Sequence, residues 1–167
     1  MNWVQFAVQW LHVLFAIAWF GTVIGINVVV MPRVMKMAPD RQREFMQGFL
    51  SSKAPHVFGL VTIALGLIRG TLLGPIQSID FLFGTAYGRT WFVAIVAALY
   101  ALIFPYVVME PRMRNILATD NLWRPDADGS RSAELETAMK STMRMAPLGI
   151  LGLLVAFTCM ILMRFGL

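Results

Sequence analysis

Four long stretches without charge fix what this chain can fold into. Trp3 to Met31 runs 29 residues without an Asp, Glu, Lys or Arg. Pro55 to Ile76 is apolar apart from His56 at its start and Arg69. Thr90 to Met109 and Ala146 to Met163 carry no charge. About 20 apolar helical residues cross a bilayer core of about 30 Å, so each stretch is long enough to span. The expectation is an all-α integral membrane protein, a single domain over 1–167. Its spans lie at about 3–31, 55–77, 90–110 and 146–165, with charged loops at 32–54 and 111–145. Short connections make neighbouring helices antiparallel, which gives an up-down four-helix bundle.

Composition narrows the function classes. The chain is 58% hydrophobic and 14% charged, against about 45–50% and about 25% for a soluble domain. That excludes a disordered chain, a collagen, a disulfide scaffold and almost any soluble enzyme. One cysteine, Cys159, excludes a Cys-rich zinc or iron–sulfur site within this chain. No catalytic-triad spacing, phosphate loop or dinucleotide fingerprint is present.

Basic residues predict an orientation. Arg33, Lys36, Arg41, Arg43 and Lys53 lie in the first charged loop, and Arg112, Arg114, Arg124, Arg131, Lys140 and Arg144 in the second. The opposite side carries Arg89 and Arg164. Eleven against two places both charged loops in the cytoplasm and both termini outside. Trp3, Tyr87 and Trp91 then fall together at the outer interface, where aromatic belts sit. The first span lacks a basic leader and a small-residue cleavage site, and is too long for a cleaved signal peptide. The net charge of +5 and pI near 10.0 follow from this bias, so anionic headgroups, not nucleic acid, are the expected partner.

The charged loops carry pattern. Phe45, Met46, Phe49 and Leu50 recur at helical spacing within 40–50, which predicts an amphipathic helix on the inner membrane surface. Leu135, Met139 and Met143 repeat the theme over 132–145, with Glu136 and Lys140 as an i,i+4 pair. Asp120 to Ser130, with Pro125 and Gly129, reads as a polar turn.

Small residues share faces within the spans: Gly59, Gly66, Gly70 and Gly74 in the second, Gly21 and Gly25 in the first. Alanines in the third span, and Gly149, Gly152 and Ala156 in the fourth, continue the theme. Such faces let helix backbones approach in lipid. The same flat surface at Gly66 and Gly70 would also accept a planar ligand, a haem or a quinone.

Ionisable groups inside a membrane are costly and mark function. His12 lies about 13 Å from the outer end of its span and Arg69 about 11 Å from the end of its own. His12 is either a haem ligand or proton relay, or a histidine hydrogen-bonded across the bundle. Arg69 keeps its proton. It either meets an anion such as a haem propionate or snorkels to the headgroups. His56 sits at the inner edge, about 20 Å in depth from His12, so the two do not ligate one haem. It is an interfacial residue or, as a weaker reading, a metal ligand. The twelve methionines suit Cu(I) by chemistry. Met31, Met35 and Met37, like Met139, Met143 and Met145, lack adjacent Cys or His and read as apolar filler.

Trp10-Leu11-His12-Val13-Leu14, then Trp19-Phe20-Gly21, then Asn27 and Pro32, resemble the opening of related bacterial membrane families. These are the copper-resistance D-like family, the HemJ-type protoporphyrinogen oxidases and the membrane domain of membrane-bound urate oxidases. Gly66-Leu67-Ile68-Arg69-Gly70 and Tyr87-Gly88-Arg89 are similar to the copper-resistance pattern. The resemblance covers about two thirds of the chain and implies a haem-associated four-helix bundle in the bacterial inner membrane. His12 matches the span-one histidine. The lysine usual in span three of the first two families has no counterpart in Thr90–Met109. The scaffold is thus implied more strongly than the oxidase reaction.

The expected function is a haem b-binding membrane protein with a redox or electron-transfer role. His12 is the axial ligand, Arg69 the propionate partner, Trp19 packs on the ring, and Gly66 and Gly70 make the groove. A quinone, further membrane subunits or a second copy are candidate partners. The alternative is a non-catalytic accessory subunit of a larger respiratory or photosynthetic complex. A transporter lacks the carboxylate it would need within a span.

Overall fold

The computed structural model describes residues 2–124, 126 and 132–166. Of the turn expected over 120–130, Pro125 and residues 127–130 lie outside the described residues, as does Arg131. Helix α1 (Trp3–Gly25) starts where the Asn2 side chain accepts from the Val4 N–H. It continues through a π-helical segment, Ile26–Val30, into α2 (Met31–Val34). Helix α3 (Pro39–Ser51) is followed after two residues by α4 (Ala54–Gly70). The short α5 (Ile79–Gly84) is capped by Ser78 and leads to α6 (Ala86–Phe104), where the Thr85 hydroxyl accepts from the Gly88 N–H. A second π-helical segment, Pro105–Met109, joins α6 to α7 (Glu110–Ala118). A 3-10 turn, Asp120–Trp123, precedes α8 (Ala133–Met143) and α9 (Ala146–Arg164).

Among the described residues four runs are long and apolar enough to cross a membrane: Trp3–Val34, Pro39–Gly70, Ala86–Ala118 and Ala133–Arg164. A run of 32 residues reaches about 48 Å at about 1.5 Å per residue, beyond a hydrocarbon core of about 30 Å. The bundle therefore outlasts its apolar spans and has two cores. One, within the spans, gathers Trp19, Ile63, Ala98, Ala101, Leu153 and Ala156. The other joins α2, α3, α7 and α8 through residues that include Val34, Met46, Ile116, Trp123, Leu135 and Met139. Large apolar side chains such as Trp10, Ile17, Leu60, Val96 and Phe157 stand exposed on the spans, as lipid contact requires.

Packing within the spans follows the small residues in part. Helices α6 and α9 lie close because Gly152 faces the Tyr100 ring and the Ala97 carbonyl, where an added Cβ would come within 2.7 and 3.1 Å. Helices α1 and α4 also pack extensively. Contact between α1 and α9 is sparse, and the stacked pair Phe20–Phe157, 5.4 Å between centroids, bridges the gap. Among the described residues nothing lies within reach of an added Cβ at Gly21 or Gly25, and at Gly21 the space is an internal cavity of the bundle.

Three expectations change. Helix α4 ends at Gly70, not near 77, because the chain turns back. Pro75 brings no N–H, and Gln77 Nε2 donates to the carbonyls of Thr71 (2.6 Å) and Gly74 (2.7 Å). Gly74 thus belongs to the turn. The amphipathic helix at 40–50 exists as α3, with Gln42 and Met46 fully buried. Its apolar face is covered by the chain's own second core, because α7 and α8 offer matching apolar faces. Trp91 is buried in the bundle instead of standing at an interface.

Met31, Met46, Met113 and Met139 fill the second core as flexible apolar side chains. Leu135 is 0% exposed within it. Leu135→Ala should cost about 2–5 kcal/mol of local stability. Hydrogen exchange should show early opening of α3, α7 and α8 while the spans keep their protection.

Candidate functional site

His12 faces inward from α1 and meets α4. Its Nδ1 lies 3.0 Å from the backbone carbonyl of Thr62. A carbonyl only accepts, so Nδ1 carries the proton and donates, which leaves Nε2 as the lone-pair nitrogen. Nε2 has no hydrogen bond from any described residue. Thr62 is itself held, its hydroxyl donating to the Phe58 carbonyl at 2.7 Å. The imidazole packs on Gly66, where an added Cβ would stand 3.1 Å from Cε1. Absence of a side chain at Gly66 is what lets the ring lie against α4.

The ring borders a cavity of about 640 Å³ between α1, α4, α6 and α9, here called the His12 cavity. Its walls include Trp19, Ile63, Gly66, Trp91, Ala98 and Phe157. Such a volume and apolar lining are typical of cofactor sites. The polar groups are few: His12, Gln9, Thr62, Arg69, Tyr87 and Arg164. Arg69, Gln9 and Tyr87 also line an adjoining space of about 480 Å³ that includes Asn2, Gln5 and Pro75, here called the Arg69 mouth. The mouth is held in shape by Gln5, whose Nε2 donates to the Leu73 carbonyl at 3.0 Å. Arg69 has no carboxylate partner among the described residues. Gln9 Oε1 is buried without a hydrogen bond.

The predicted residues divide. His12, Arg69, Trp19 and Gly66 come together at one cavity. Gly70 does not join them, because the Trp91 indole sits over its Cα. Gly59 plays the same part for Trp19, with an added Cβ at 2.7 Å from Cε2. The glycines of α4 thus seat three rings of this chain: His12, Trp19 and Trp91. His56 lies elsewhere, in a second cavity of about 180 Å³ that His12 does not touch. Among the described residues no group of three or more His, Cys, Asp or Glu is placed to hold a metal ion. Gln9 went unnoticed in the sequence. Its signal was a polar amide three residues before His12 in an apolar run, a spacing that puts both on one helical face.

No family model, no curated protein and no solved structure matches this chain.

The open and filled glycines should respond differently. Gly70→Ala forces the buried Trp91 indole to move, an overpacking that should cost about 1–3 kcal/mol. Gly21→Ala, facing open space, should change stability by less than about 0.5 kcal/mol. Thermal unfolding in detergent, followed by circular dichroism, compares the two.

Proposed function

We propose that this chain is a haem b-binding membrane protein with a redox or electron-transfer role. The observation that carries the reading is His12. A tautomer-fixed imidazole presents an unbonded Nε2 beside a large apolar cavity, with an unpaired arginine on the same cavity. The donor set suits the group. A neutral imidazole is a common haem ligand, and its Nδ1–H bond to a backbone carbonyl is the orienting contact such ligands use. Arg69 would hold a propionate, as a guanidinium matches a carboxylate. Gln9 Oε1 would gain a partner in water or in a protonated carboxyl group. Trp19 and Gly66 would flank the ring.

Haem, when bound, supplies one-electron exchange at its iron. The chain's part is to hold His12 at fixed depth and rotation, to exclude bulk water with apolar walls, and to balance carboxylate charge with Arg69. The charge bias supports an orientation of the up-down bundle with loops 32–54 and 111–145 in the cytoplasm and both termini outside, and the resemblance of the first span points to a bacterial inner membrane. The accessory-subunit reading is favoured by one observation, the open space beside Gly25 on α1, which would accept a neighbouring helix.

Visible spectra of the protein purified in mild detergent test the proposal. The oxidised protein should show a Soret band, and dithionite should bring up sharp α and β bands. His12→Ala should lose the Soret band while remaining helical. Arg69→Gln should retain haem about tenfold more weakly, the loss of one charge-assisted hydrogen bond. A full Soret band in His12→Ala overturns the ligand assignment. A colourless but intact wild-type protein favours the accessory reading.

A further inference from the structure

Three spaces lie in series through the bundle. The Arg69 mouth shares Gln9, Arg69 and Tyr87 with the His12 cavity. The His12 cavity shares Trp19 and Leu153 with the second, smaller cavity around His56. Trp19 is 4% exposed and wedged on Gly59, so it forms a fixed wall between the two. We propose that the His56 cavity is a separate ligand site that takes the headgroup of a lipid-soluble quinone. The proposal is independent of haem at His12.

The chemistry of the walls selects the ligand. Most of the lining is apolar, and the polar groups are His56, Asn27, Ser52, Glu110 and Thr142. The His56 ring has no hydrogen bond among the described residues and only meets Tyr106 edge-on, 5.8 Å between centroids at 80°. It therefore has N–H capacity for an acceptor. Ser52, Pro55 and His56 bring the start of α4 to the cavity, and no side chain caps that start. Its partial positive charge also favours an acceptor oxygen. Glu110 opposes an anion, and its charge is balanced by Arg114, whose Nε donates to Oε1 at 2.9 Å. A neutral ring that carries carbonyl acceptors and partitions into lipid, a quinone, matches this lining. Half-buried Val23, Ile26, Phe49 and Ile150 are among the lining residues, so the cavity is not sealed from the surface.

A second observation marks the same place. The two π-helical segments of the described residues both border this cavity, through Ile26 and Asn27 on one side and Pro105 and Met109 on the other. Single π turns inside α-helices are frequent at functional sites.

Decylubiquinone titrated into the full chain in lipid nanodiscs, read by quenching of tryptophan emission, tests the site. Two variants address the cavity: His56→Leu removes the donor, and Gly149→Leu fills the space, since a Cβ there meets nothing closer than 3.5 Å. We expect saturable quenching that weakens about tenfold or more in both, the scale of a lost hydrogen bond in an apolar site. In His12→Ala the affinity should stay within about twofold. Absence of a saturable component overturns the proposal, as does unchanged affinity in His56→Leu. Loss in His12→Ala with retention in both inner variants moves the ligand to the His12 cavity and also overturns it. If Gly149→Leu is not helical by circular dichroism, His56→Leu decides alone.

Discussion

The hydrogen bond from His12 to the Thr62 carbonyl anchors α1 against α4. Within apolar spans a polar group has no water to fall back on, and an unpaired one costs several kcal/mol. His12 meets that cost on the neighbouring helix, and in doing so fixes the depth and rotation of α1 against α4. The consequences are spaced regularly. His12 rests on Gly66, and seven residues further along α1 Trp19 rests on Gly59, seven residues back along α4. One side-chain bond and two ring-on-glycine contacts thus join the pair, and both cavities open from that seam.

The apolar runs were legible because transfer of helical backbone into lipid leaves so few solutions. Charge-free stretches at 3–31 and 90–109 contain α1 and most of α6, and the fourth appears as α9. The ends were less legible. The run that begins as α1 continues past Pro32, because the proline falls after the π-helical segment in the first turn of α2, where its missing N–H is tolerated. Helix α4 stops early because side-chain bonds from Gln77 favour a turn that hydropathy does not register. The charged segments looked like surface loops because half their residues are polar. Their apolar halves meet one another in three dimensions, and that convergence has no signature in any one segment.

Glycines show the same limit at the level of the site. Spacing alone marks Gly21 and Gly66 as equivalent, yet one faces open space and the other carries an imidazole. What distinguishes them is the partner across the gap, His12, whose identity comes from another part of the chain. His12 and Arg69 were legible as costly ions in lipid. Their meeting at one cavity depends on helix rotation, which the single bond to Thr62 sets. Gly70 was assigned to a groove for the same reason that it holds Trp91: a flat surface accepts any ring, and the nearest ring belonged to the protein.

The two π-helical segments have a geometric consequence beyond the cavity they border. An α-helix advances about 100° per residue, and a π turn carries about one residue more than an α turn. Each segment therefore rotates everything beyond it by roughly a quarter turn. On α1 the rotation lets a face that meets α4 above Ile26 hand over to a face, Met31 and Val34, that meets α3 and α7 below it. The same handover on the α6 strand of the bundle aims Met113, Ile116 and Leu117 inward. Two of the four runs thus change neighbours partway along without breaking, while the other two change at the short breaks between α3 and α4 and between α8 and α9.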